Sequence, residues 1–229
     1  LYIQRSFSHA YVPGNAQKKY ALKLGFKDED VKLGFYTADV EKFNEYYTSR
    51  QLTQGEGSST KRMLYLGRYV KHKGIFEMWD AFARFRREYP NWELWCVGAG
   101  DQYENRIEGE GIRHFGFVQP SQLLPILKET TVYILPSHIE PWGVSVQEMA
   151  IAGYPLLLSD KIGAGESFLV DEENGFRFEA GNAQSIQVSL ERVAQLSDSE
   201  LIAMAEKSHH LDLGNTPQLW ARTLLDFLN

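Results

Sequence analysis

"SHIEPWGVSVQEMAIAGYPLLLSD", residues 137–160, begins as the apolar run "TVYILPS" closes and ends in a second apolar run, "PLLLSD". Between the runs lie a Pro-Trp-Gly turn and a segment from Val144 that Gly153 and Pro155 end as a helix stop should. A continuously apolar strand, a helix and a second such strand make up the repeating unit of a parallel sheet covered on both faces. Working outward, "RMLYLG", "WELWCVG", "IRHFGF" and "GFRFEA" supply further strand candidates. Amphipathic helix candidates fall at Gly74–Tyr89, Ser121–Glu129, Val144–Gly153 and Ala183–Gln195, and "SDSE" at Ser197–Glu200 reads as a capping box opening another. The fold class is therefore α/β: a Rossmann-like parallel sheet with helices on both faces.

The segment before residue 61 differs in kind. "AYVPGNAQKKYALKLGF" predicts strand, turn and helix, "VKLGFYTADVEKF" a second strand running into a loop, and "QLTQGEGSSTKR" has linker composition. The expected organisation is the remnant of a preceding domain with its interdomain strand over residues 1–48, a linker over 49–60, the Rossmann-like domain over 61–210, and a C-terminal helix over 211–229. In that last helix Pro217 stands early, and Leu219, Trp220, Thr223, Leu224 and Phe227 form a face that must pack on something. The chain starts at Leu1 in mid-element and reads as a piece of a longer protein.

Composition narrows the function classes. The 229 residues carry a net charge of -6 with both signs interspersed, which gives no basic field for nucleic acid or an anionic membrane. No apolar stretch reaches the length of a membrane span. The single cysteine, Cys96, sits in "WELWCVG" and reads as a small buried hydrophobe. A reducing, cytoplasmic setting is expected, with peripheral attachment at the cytoplasmic face of the membrane open to the full-length protein.

In an open parallel sheet, ligands gather outside the carboxyl ends of the strands, where the next helices begin. The unpaired amides of Gly143, Val144 and Ser145 and the positive end of the helix dipole suit a phosphate there. Glu148 lies one turn inside that helix, and helical side chains lean toward the N-terminus, so its carboxylate points back at the same place. A carboxylate beside phosphate is useful where it accepts from neighbouring hydroxyls, as on a ribose. Glu140, in the loop before the helix, reaches the other side. In "YLGRYVKHKGIFEMWDAF", Arg68 offers a planar fork and Lys73 a point charge, two complementary ways to hold a diphosphate. Each of these features taken singly also fits a solvated turn or helix surface.

Taken together, "LGRYVKHKG", "VGAGD", "FGFVQPSQL", "LPSHIEPWGVSVQEMAIAGYP" and "NGFRFEAGN" resemble, in order and near spacing, the nucleotide-sugar domain of family 4 glycosyltransferases, which have the GT-B fold. The resemblance is strongest over residues 61–195. It implies the donor half of a retaining, metal-independent hexosyltransferase. Such an enzyme moves a sugar from a nucleoside diphosphate sugar, UDP-linked, to a glycan or lipid-linked acceptor, as in cell-surface polysaccharide synthesis. By resemblance Arg68 and Lys73 neutralise the diphosphate, Glu148 holds the ribose, and Glu140 with the backbone of Trp142, Gly143 and Val144 contacts the transferred sugar. Ser145 completes the anion site, and Phe117 and Val118 border the base. No metal and no separate cofactor is implied, the nucleotide sugar being itself a substrate. The final helix would return to the first domain, whose greater part is absent, so that this chain alone is expected to bind donor without transferring sugar. Trp142 stands where phenylalanine is commoner and is expected to reshape the sugar pocket. Gly165 in "GAGE" stands where proline is frequent, which predicts a looser loop.

Other readings fit less of the sequence. "GAGDQY" and "GAGESF" lack the third glycine and the later acidic residue of a dinucleotide fingerprint. "DED", residues 28–30, has the acidic pair of a metal-dependent glycosyltransferase but the surroundings of a solvated turn. His138, two residues before Glu140, suits acid-base work or a plain loop position. A catalytically silent nucleotide-binding or interaction module on the same fold is the remaining alternative, because fold does not fix function.

Overall fold

The computed structural model describes residues 6–51, 60–211 and 214–227. The chain opens with a small unit of β1 (Ala10–Val12), α1 (Asn15–Lys23) and β2 (Val31–Leu33), the strands parallel with Ala10 opposite Val31. Asp28–Asp30 form a 3-10 turn before β2, with Asp28 held by Lys18 at 2.7 Å and Glu29 beside Lys27 at 3.4 Å. This is the solvated turn that its charged neighbours suggested.

The chain then forms α2 (Val40–Gln51), where the sequence predicted a loop leading to a linker at residue 49. The rest of the expected linker, residues 52–59, lies outside the described residues. The buried face of α2 consists of Phe43, Tyr46 and Arg50, so an arginine stands where apolar periodicity would be sought. Fully buried, Arg50 donates from Nε to the Leu127 carbonyl at 2.9 Å, from Nη2 to Thr130 at 2.9 Å, and from Nη1 to Gly153 at 2.8 Å and to Ala152. Its guanidinium lies 3.6 Å from the centroid of the Tyr154 ring.

The main body alternates strands and helices: β3 (Lys61–Leu66), α3 (Ile75–Phe85), β4 (Trp92–Val97), β5 (Ile112–Gly116), α4 (Leu124–Glu129), β6 (Val132–Leu135), α5 (Val144–Ile151), β7 (Leu156–Ser159), α6 (Gly165–Phe168), β8 (Gly175–Phe178), α7 (Ala183–Ala194) and α8 (Asp198–Leu211). The six strands are all parallel in the order β5-β4-β3-β6-β7-β8. Every residue of β6 and β7 is buried, which is why both read as unbroken apolar runs. Helices α3 and α7 pack together on one face, and α2, α4, α5 and α8 on the other. Cys96 is fully buried in β4, and burial pushes its thiol up to about 12, as befits a core residue. The capping box at Ser197 forms, with Glu200 Oε2 accepting from the Ser197 amide at 2.8 Å.

The last helix, α9 (Pro217–Leu225), returns to the N-terminal unit, where Trp220 Nε1 donates to the Phe35 carbonyl at 2.6 Å and its ring lies 6.1 Å from Tyr11. Only part of the expected apolar face is covered, for Leu219 and Leu224 stay exposed. Two chain crossings join this unit to the sheet. Thr37 Oγ1 donates to the Asn215 carbonyl at 2.7 Å and Asn215 Nδ2 to the Tyr36 carbonyl at 3.0 Å. Buried Gln147, from α5, accepts from the Ala38 amide at 2.9 Å and donates to the Asn215 carbonyl at 3.1 Å.

Candidate functional site

From β3 the sheet grows outward through β4 and β5, then the chain crosses back to lay β6 against the other side of β3. The crevice between the carboxyl ends of β3 and β6 is the topological switch point, where such sheets bind ligands. Glycines let its turns approach closely. A Cβ on Gly98 would stand 1.9 Å from the Gly67 carbonyl oxygen, and one on Gly74, whose φ is +66°, 2.1 Å from that of Pro136. The turn after β3 is thereby pressed against the exit of β6, and the His138 amide donates to the His72 carbonyl at 2.8 Å across the seam.

This contact brings Lys73, at the end of a 3-10 turn, onto Glu140, from the loop after β6. Lys73 Nζ donates to Glu140 Oε2, and the two side chains are only 14% and 16% exposed. Arg68, one turn earlier, is exposed, while its carbonyl accepts from the Tyr65 hydroxyl at 2.8 Å. Glu140 is fixed from behind by the loop after β7. Its amide donates to the Lys161 carbonyl at 3.1 Å and its carbonyl accepts from Gly163 at 3.0 Å. The Gly165 amide donates to Ile162 at 3.1 Å and the residue is buried at the start of α6. This loop is hydrogen-bonded at both ends, with Gly165 supplying an amide donor that a proline would lack.

Gly143 begins α5 at φ 97° and ψ 72° with no side-chain cap, which leaves the first helical amides of Val144 and Ser145 to an outside acceptor. Beneath them Tyr133 of β6 donates its hydroxyl to Ser145 Oγ at 2.9 Å. Burial holds the Tyr133 phenol above its ordinary range, and the charges of Glu148 and Glu140 push it the same way. Both carboxylates therefore lie near enough for their charges to act on Tyr133. Burial also raises the Glu148 carboxyl above the usual range, with Lys42 opposing the shift and Asp39 adding to it. Lys42 and Asp39 come from the first turn of α2 and its approach. Sequence reading placed neither in the site because that helix was not expected.

Trp142, Phe117 and Val118 are the other three residues expected at the site. The Trp142 side chain is buried against Gly14, where a Cβ would lie 2.6 Å from the ring, and meets Phe168 edge-on at 6.0 Å. With Gln17 Nε2 donating to the Pro141 carbonyl at 2.7 Å, it wedges the small unit against the sheet. The tryptophan thus shapes an internal seam; its ring does not line a sugar pocket. Phe117, 69% exposed, and partly buried Val118 follow β5, two strands from the crevice. His138, in the loop itself, has Nε2 3.2 Å from Glu77 Oε2. Among the described residues no helix is long and apolar enough to cross a membrane.

Residues 52–209 match the family model described as glycosyl transferases group 1. A glycogen synthase of Mycobacterium tuberculosis is 33% identical over 114 residues, 47% of this chain and 28% of its own length. The capsular polysaccharide biosynthesis glycosyltransferase CapM of Staphylococcus aureus is 26% identical over 202 residues, 83% of this chain and 50% of its own. Among solved structures, HepE of Anabaena in complex with UDP and glucose superposes with a TM-score of 0.77 at 15% identity, covering 96% of this chain and 62% of that one. A glycosyltransferase of Rickettsia africae superposes with a TM-score of 0.79 at 16% identity. The chain spans no more than half the length of these two curated relatives. The fold expected from the resemblance, the Rossmann-like half of a GT-B glycosyltransferase, is the fold observed.

Proposed function

Because the chain belongs to the glycosyl transferases group 1 family, we propose that it is the donor-binding part of a retaining, metal-independent hexosyltransferase using a UDP-linked sugar. The acceptor is a glycan or a lipid-linked glycan, in cell-surface polysaccharide synthesis, as the name of the capsular relative suggests. One observation carries the reading. Lys73 and Glu140 pair across the point where the strand order reverses, and Arg68, Glu148 and the open amides of Val144 and Ser145 lie on the same two strand-to-helix connections, although these come from stretches of sequence up to 80 residues apart.

In this reading the diphosphate lies over the amides of Val144 and Ser145 within reach of Arg68 and Lys73. Glu148 accepts from ribose hydroxyls, Glu140 and the backbone at Trp142 and Gly143 face the sugar, and Phe117 and Val118 border the base. Cleavage of the bond between the anomeric carbon and the phosphate oxygen leaves a full negative charge on the diphosphate. Fixed positive groups lower the barrier by stabilising that charge, and the cleft orients the sugar. The expected test is direct: Arg68→Ala loses a charged hydrogen-bond partner worth roughly 1.5 to 3 kcal/mol, about tenfold or more in UDP affinity by calorimetry. Chelation with EDTA should change nothing. Binding that vanished with EDTA and survived Arg68→Ala would overturn the reading.

A further inference from the structure

The two cations assigned to the diphosphate are in different states. Arg68 is exposed and forms no ion pair among the described residues, whereas Lys73 is already engaged by Glu140 in a pair sheltered from water. Shelter matters, because screening by salt and solvent is what makes exposed pairs weak. The carboxylate cannot drift away, since its backbone is fixed to the loop at Lys161 and Gly163. The Lys73 backbone is held in the same way, because Gly74 packs on the Pro136 carbonyl, so that only the lysine side chain has to turn. A diphosphate arriving in the crevice therefore competes with Glu140 for Lys73. If it wins, Glu140 is left without a partner beside an anion, a costly arrangement for a sheltered carboxylate.

Resting on the donor-site reading above, the geometry points to Glu140 as an internal competitor of the diphosphate that tells donor from spent product. In the empty site Glu140 holds Lys73. When a nucleotide sugar binds, Lys73 turns to the diphosphate and a sugar hydroxyl donates to Glu140 in its place. Once the sugar has left, Glu140 has no such donor, recaptures Lys73 and weakens the hold on the remaining nucleoside diphosphate. The same carboxylate that orients the sugar thus speeds release of the product.

The test is calorimetric titration of UDP and UDP-glucose into the chain and into Glu140→Gln, Lys73→Met and the double variant, at one salt concentration. Circular dichroism checks that each is folded. Glu140→Gln should tighten UDP about three- to tenfold, the scale of a partly sheltered ion pair, and tighten UDP-glucose less. In the Lys73→Met background that gain should largely disappear, because the coupling runs through the lysine. If Glu140→Gln leaves UDP unchanged or weaker, the competition does not exist. An equal gain with and without Lys73 also overturns it, since the carboxylate would then simply repel the nucleotide. Both results leave the donor-site reading standing, whereas a wild-type chain that binds neither ligand ends both.

Discussion

At Glu148 burial raises the carboxyl above its ordinary value, and the charge it carries at neutral pH is disfavoured by the fold. A carboxyl with a raised folded pKa contributes stability that is fully present below its unfolded value, 4.5, and is lost as pH climbs through the raised value. Glu148→Gln should therefore raise the Tm at pH 7 relative to wild type and do so much less at pH 4. It should also weaken UDP by roughly 1.5 to 3 kcal/mol, since an amide replaces a charged acceptor. Thermal scans at both pH values with one titration check this. A variant less stable at pH 7 would show that the carboxylate is satisfied within the protein. The residue itself was legible from its place one turn inside a helix, but the influence of Lys42 on it was not, because that charge acts from α2 on α5.

Elements were legible where a single chemistry fills the buried face. Strands β6 and β7, wholly apolar, could hardly be read otherwise. Helix α2 hid because its buried face includes Arg50, whose charge is satisfied by carbonyls at the ends of α4 and α5. This side chain ties α2 to the C-terminus of the helix whose N-terminus is the proposed anion site, with its charge suited to that end of the dipole. Arg50→Met should leave buried carbonyls without donors and cost roughly 2 to 4 kcal/mol in urea unfolding. Arg50→Lys should recover little, because a point charge cannot serve several carbonyls in different directions. A loss under about 0.5 kcal/mol, typical of a surface substitution, would mean that the cage holds nothing together.

For the whole molecule, alternating apolar runs and amphipathic segments were enough to foresee the parallel sheet, and the rule for such sheets points to the crevice where the candidate site lies. The pairing of Lys73 with Glu140 and the burial of Trp142 were not legible, since both depend on how separate loops meet in space. The N-terminal unit, the last helix and the sheet are joined through Gln147 on α5, so the helix proposed to face the donor is bonded to both chain crossings. The central claim is that the crevice between β3 and β6 takes a nucleoside diphosphate. Calorimetry of UDP, GDP, ADP and NAD with the same chain tests it most directly. The account predicts binding of a nucleoside diphosphate, UDP foremost, and none of NAD; tight NAD binding with no nucleoside diphosphate binding would contradict it.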